Sequence, residues 1–354
     1  MKHFEAISIL AVLGTSVVVA QPKPAPAEGK VLGVIQWFTV VADLPKAEQF
    51  YHETMGLESP GGDPRMRLEY YAVVPFLIEM YNNQSELRNF GLRIPGADMG
   101  VEPGQWKEVS GKLLPSRIQD PGAGYLILKT WNINGFLPRI AKAGTQVLSS
   151  GGHPVTVAEP AGMNQVLWMR EPNGFFVALE QPIPPPPAPG ANGAPSPSYY
   201  TGADAGFAVE ALHKTVHFYQ DLLGFNADTS DWLASKDQLN AYGIRSGQYR
   251  TSTLHMPGSN VAIRLVEFKG VDRKPLQKKI TDPNSLVLRM RVQGIDALAA
   301  KLKAAGTKIV SVSGEPYTNG RTRWFMVEGP DNVFVQLTEA PPGAPNSGAP
   351  PLPR

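Results

Sequence analysis

The 354-residue chain has no cysteine, which excludes structural disulfides, thiolate nucleophiles and cysteine-ligated metal sites together. Histidine is scarce at six. Neither charge sign dominates: 33 lysines and arginines against 31 acidic residues leave a net charge of +2. No basic stripe interleaved with aromatics occurs, which argues against a nucleic-acid partner. A membrane-length apolar segment is also missing. The apolar run at 7–20 is broken by Ser8, Gly14, Thr15 and Ser16 and falls short of the roughly 20 residues a span needs.

That run follows a short head carrying Lys2 and precedes "QPKPAPAEGK", whose prolines cannot continue a helix. The pattern predicts an export signal over 1–20, cut after Ala20. With no cysteine at the cut, a lipoprotein anchor is excluded. A secreted or periplasmic protein without a stable membrane anchor is expected. Proline is plentiful elsewhere too, with 34 in the chain, and it punctuates the organisation. Residues 21–29 read as a linker, 183–199 as an extended proline-rich spacer, and 341–354 as a proline-rich disordered tail. Between them lie two stretches of domain size, 30–182 and 200–340.

The two stretches repeat each other. "AEQFYHETMGLE" from Ala47 returns as "TVHFYQDLLGFN" from Thr215, and "FLPRIAKAGTQVLSSGG" from Phe136 returns as "LAAKLKAAGTKIVSVSG" from Leu298. "EPNGFFVAL" from Glu171 returns as "GPDNVFVQL" from Gly329. The offset is roughly 160 residues each time, so the copies run in register. Each half divides again, with boundaries near 120 and 283. A buried β-rich run at 31–42 leads to a helix capped by Asp43, with Pro45 in its first turn and Gly56 at its end. "RLEYYAVV" and "FLIEMYNN" then read as strands. A strand near 125–131, a helix at 135–143 and strands near 145–148, 165–169 and 175–180 complete the half. The fold class is α+β: four βαβββ modules paired into two curved-sheet units.

These residues resemble the vicinal oxygen chelate superfamily, which includes glyoxalase I, extradiol dioxygenases and bleomycin-resistance proteins. The resemblance rests on "VADLPKAEQFYHETMGLE" after a buried strand, on "AKAGTQVL" and "KAAGTKIV", and on the endings "MREPNGFFVALE" and "VEGPDNVFVQLTE". It implies cup-shaped sheets made by paired modules, either chain neighbours or the first with the fourth. It also implies a divalent ion held by one residue from the first and one from the last strand of each module. Seven residues before the helix cap, the first-strand positions are Gln36, Tyr125, Asp204 and Val287. The last-strand positions are Glu79, Ala178, Arg264 and Gln336.

None of the eight is histidine. Gln36 and Glu79 match the Gln-plus-Glu half of a glyoxalase I site, which makes them the candidate metal ligands for Zn, Ni or Fe, with Glu79 also the candidate catalytic carboxylate. A third ligand would come from Tyr125, Glu180 or Gln336. Arg264 excludes a metal at its own position and implies either a salt bridge or an anion-binding cup. His213 and His217, four apart on one helix, read as surface or interface residues. Trp37, Phe38, Tyr70, Tyr71 and Tyr125 in one half, and Trp232, Tyr249 and Phe268 in the other, supply aromatic walls. The expected function is an exported protein that binds a small apolar or aromatic molecule, with Tyr125, Arg264 and Gln336 as ligand contacts. The alternative is a metal-dependent glyoxalase I-like lyase using Gln36 and Glu79; an extradiol dioxygenase has no matching ligands.

Overall fold

The computed structural model describes residues 28–341, apart from 61, 65–68, 71–73, 109–112, 114, 160–161 and 189–198. The expected export signal, most of the spacer, the tail and most of "RLEYYAVV" lie outside the described residues.

The first module contains β1 (Lys30–Val40), α1 (Leu44–Glu48) running on as a π turn, α2 (Pro75–Tyr81), β2 (Leu87–Asn89), β3 (Leu92–Arg93) and β4 (Gly100–Trp106). The second has β5 (Gly124–Thr130), α3 (Leu137–Lys142), β6 (Gln146–Val147), β7 (Val155–Glu159), β8 (Gly162–Arg170) and β9 (Phe176–Ile183). The third has β10 (Tyr200–Ala208), α4 (Leu212–His217) with its own π turn, β11 (Asn226–Thr229), α5 (Lys236–Ala241), β12 (Gln248–His255) and β13 (Ile263–Lys269). The fourth has β14 (Leu286–Gln293), α6 (Ile295–Ala304), β15 (Lys308–Ile309), β16 (Tyr317–Asn319), β17 (Thr322–Glu328) and β18 (Phe334–Glu339). The expected cap on α1 is present: the Asp43 carboxylate accepts from Lys46 N at 3.1 Å.

"FLIEMYNN" is not a strand but α2. Pro75 starts it, Leu77, Met80 and Tyr81 bury one face, and Asn82 ends it in the left-handed region at φ 48°. A short apolar run fits both periods, and here the i, i+3, i+4 spacing prevails. The strand that ends the first module is therefore β4, with the sequence "GVEPGQW".

Two sheets form, and neither is confined to one half of the chain. The first runs β15-β17-β18-β14-β1-β4-β2 and the second β11-β12-β13-β10-β5-β9-β8-β6. The first module thus pairs with the fourth, through antiparallel β1 and β14, with Gln36 opposite Arg289. The second pairs with the third, through β5 and β10, with Ile127 opposite Asp204. The structural units consequently differ from the stretches 30–182 and 200–340. Each sheet draws strands from both, so neither stretch contains a complete sheet.

Strand alternation sends side chains to two different cores. On β14, Leu286, Leu288 and Met290 enter one core shared by all four modules and their helices, whereas Val287 enters a separate cluster inside the first cup. That cluster includes Phe38, Leu77, Met80, Tyr81, Trp106 and Trp324. The second cup has its own cluster around Tyr125, Trp168, Phe176, Tyr242, Tyr249 and Phe268. Of the expected cup aromatics, Trp37 faces the shared core instead, and Tyr71 lies outside the described residues.

Chain-adjacent modules are tied in another way, by the turns before β9 and β18. Asn173 Oδ1 accepts from Asp43 N at 2.8 Å, and its amide donates to Asp43 O at 3.2 Å. In the other half, Asp331 occupies the equivalent place and accepts from Glu210 N and from the Thr215 hydroxyl, both at 2.9 Å. Sheets join modules one with four and two with three, while these turns join one with two and three with four.

Candidate functional site

In the first cup, β1, β4, β14 and β18 bring Gln36, Glu102, Arg289 and Gln336 together on the face away from α1 and α6. Arg289 is the centre. Its Nη1 donates to Gln36 Oε1 and, at 3.2 Å, to Glu102 Oε2, while Nε donates to Gln336 Oε1 at 2.7 Å. The second Glu102 oxygen accepts from the Asn89 amide. All four residues are buried, none more than 4% exposed. The guanidinium also lies 5.4 Å from the centre of the Trp324 ring.

The second cup has a different arrangement around another arginine. Arg264 Nε donates to Asp204 Oδ2 at 2.8 Å, and its two terminal nitrogens donate to the two Glu180 oxygens at 2.8 and 3.0 Å. Lys129 Nζ adds a 2.8 Å contact to Asp204. Burial acts against the Asp204 carboxylate, but Arg264 and Lys129 outweigh it and hold its pKa below the usual range. Glu159, 3.8 Å from Arg264, is pushed up by burial and by repulsion from Glu180. Of the two readings left open for Arg264, the salt bridge is the one that forms.

Each cup is closed by a helix of its own odd-numbered module. From α2, Tyr81 packs against Phe38 and Trp106 at 5.8 and 5.3 Å, and Phe76 against Trp324 at 5.0 Å. After α5, Tyr242 occupies the equivalent place, against Trp168 and Phe268 at 5.4 and 5.3 Å.

Several expected site residues sit elsewhere. Glu79 is on α2, outside the cup, where its carboxylate accepts from Ser313 N and Oγ at 2.9 and 2.5 Å. It is neither beside Gln36 as a ligand nor in place to act as a catalytic carboxylate, because the run that carries it is helical. Glu102 takes the position assigned to it. Tyr125 and Glu180 belong to the second sheet and cannot complete a set with Gln36. The Tyr125 hydroxyl donates to Ile118 O, and its ring packs on Trp168 and Phe176. Gln336 does share the cup of Gln36, as the exchanged pairing requires. In the fourth module the inward residue opposite Gln36 is Arg289, two residues beyond Val287 on the same face. The missed signal was Arg289 inside the run "LVLRM", the first of two arginines in β14. His213 and His217 are exposed on α4, as expected, and His217 pairs with Asp221.

The donor set does not fit a divalent ion. In each cup the oxygens that converge do so on a guanidinium, which stays protonated at any accessible pH. Among the described residues no group of three or more His, Cys, Asp or Glu is arranged to hold a metal.

Residues 203–337 match the family described as the Glyoxalase/Bleomycin resistance protein/Dioxygenase superfamily. Among solved structures, glyoxalase I from Zea mays is similar at a TM-score of 0.54 and 17% identity, over 88% of this chain and 92% of that one. A putative dioxygenase from Bacillus subtilis subsp. subtilis str. 168 is similar at a TM-score of 0.55 and 10% identity, over 90% and 87%. No curated protein matches the chain. Identities this low establish the fold and not the chemistry. Residues 203–337 thus carry a domain of the Glyoxalase/Bleomycin resistance protein/Dioxygenase superfamily, and the four modules in two curved sheets share the fold of these solved structures.

Proposed function

We propose that the protein is a binding protein that has kept the cups of its superfamily for a small, largely apolar or aromatic molecule and does not depend on a metal. The observation that carries this is Arg289 at the centre of the first cup, bonded to the side chains of Gln36, Glu102 and Gln336. A cation already fills the place where ligand oxygens meet, so a second cation there would face Coulomb repulsion in a poorly screened interior. Aromatic walls supply the apolar contact: Phe38, Tyr81, Trp106 and Trp324 all border this cluster. A lyase built on Gln36 and Glu79 is disfavoured, since Glu79 is tied to Ser313.

Metal analysis tests the proposal. Purified protein incubated separately with zinc, nickel and manganese, then desalted, should retain only substoichiometric metal. One equivalent retained by the wild type and lost in Glu102→Gln would overturn it.

We also propose export, with cleavage after Ala20. The support is compositional: a Lys2 head, a short apolar run and a proline-rich start to the mature chain. N-terminal sequencing of the protein from its native host should begin at Gln21, and an intact Met1 in the cytoplasmic fraction would refute this.

A further inference from the structure

The first cup holds more hydrogen-bond donors than it uses. Gln336 Nε2, Trp324 Nε1, Trp106 Nε1 and the Thr338 hydroxyl are all buried without a partner. Their residues are at most 5% exposed. Three of them are neighbours: Trp324 lies opposite Thr338 on β17 and β18, and Gln336 is two residues from Thr338 on the same face. Trp106 stands across the cup on β4. In the second cup, among the described residues, the indole of Trp168 is the corresponding orphan. Buried polar groups are ordinarily satisfied, and an exception calls for a reason.

What faces these donors is α2. Phe76 lies against Trp324 and Tyr81 against Trp106; the Tyr81 hydroxyl is engaged with Arg289, and neither indole N–H has an acceptor. The charges, by contrast, are already matched, because Arg289 is paired with Glu102. An anionic ligand would therefore be buried with no free cation among the described residues, at a large desolvation cost. A neutral acceptor would meet three waiting donors at one end and aromatic walls along its body.

We infer that the first cup takes a neutral, flat aromatic molecule bearing a carbonyl-type oxygen, read by Gln336, Trp324 and Thr338 in the space that α2 side chains now fill. This rests on the binding role proposed above and gives it a ligand class. Occupancy then requires α2 to move outward, which strains its tethers to the 311–315 turn: Val312 N to Glu79 O at 3.0 Å and Ser313 to the Glu79 carboxylate.

Three probes of one shape test the inference: 2-acetylnaphthalene, 2-ethylnaphthalene and 2-naphthoate, titrated calorimetrically into the full mature protein. The ketone should bind about tenfold more tightly than the hydrocarbon, the ratio expected for one recovered hydrogen bond of ordinary strength. The carboxylate should bind more weakly than the ketone. Gln336→Leu should cut the ketone's preference to about twofold. Because that change also removes an acceptor from Arg289, Trp324→Phe provides an independent check: it keeps an aromatic side chain of smaller size, loses the N–H and should lower the preference severalfold. Equal binding of ketone and hydrocarbon, tightest binding of the carboxylate, or a preference unchanged in both variants would overturn the inference while leaving a binding role intact. Failure of all three probes to bind would overturn the binding role as well.

Discussion

Replacing Arg289 by methionine is expected to lower the unfolding free energy by about 3–5 kcal/mol, the range seen when one partner of a buried ion pair is removed. Both partners are nearly inaccessible, with 3% and 5% of their side-chain surface exposed, so solvent cannot take over the lost contact. The variant leaves the Glu102 carboxylate without its cation and with the Asn89 amide as a remaining donor, and turns the Gln36 and Gln336 side-chain carbonyls toward an apolar methionine. Adding Glu102→Gln should recover most of the loss, because the uncompensated charge and not the missing volume dominates. Urea unfolding of the wild type, both single variants and the double variant gives the coupling directly. If Arg289→Met fell within about 1 kcal/mol of the wild type, the pair would be solvated in solution and the fixed-cation reading of the cup would fail.

A second large effect should appear with pH. Glu171 is fully buried, and burial lifts its pKa from 4.5 to about 7 despite donation from Asn173 N and Nδ2. A carboxyl raised in the folded state binds its proton more tightly there than in the unfolded chain. Its stabilisation is complete below pH 4.5 and is lost as pH rises to about 7, a fall of roughly 3 kcal/mol. Lys278 works in the opposite direction over a different window. Burial lowers its pKa from 10.5 to about 7, with its ammonium donating to Gly122 O and Asn284 O. Its penalty stands at low pH and is relieved between about pH 7 and 10.5. Together the two groups give a stability minimum near neutrality. Urea midpoints across pH 4.5 to 10 measure it, with Glu171→Gln expected to flatten the acid limb and Lys278→Met the alkaline one. An unchanged acid limb in Glu171→Gln would show that another group carries it. Glu171 also orients Asn173, which holds the backbone of Asp43, the cap of α1 in the neighbouring module, so this titration acts at a contact between modules.

Much of the fold was legible in the chain, because repetition and periodicity are local. The Asp43 cap, the helix ending at Gly56 and the strands of the second module each depend on residues within a few positions of one another. Four copies in order pointed to the family for the same reason. The inward positions Gln36, Asp204, Arg264 and Gln336 could be counted from those local landmarks, and they do face the cups. Glu79 could not be placed so simply. "FLIEMYNN" satisfies helix and strand equally well until a cup is present for Leu77, Met80 and Tyr81 to fill.

The tertiary structure decided the rest. Periodicity shows that β1 is a strand buried on both faces but says nothing about which strand lies beside it. Only the pairing of β1 with β14 sets Gln36 opposite Arg289, 253 positions away, and only the sheet order separates Tyr125 and Glu180 from them. Glu102 and Arg289 are unremarkable as isolated letters. They become a site because backbone pairing carries two distant strands into one sheet, and because burial makes an unpaired charge there too costly to keep.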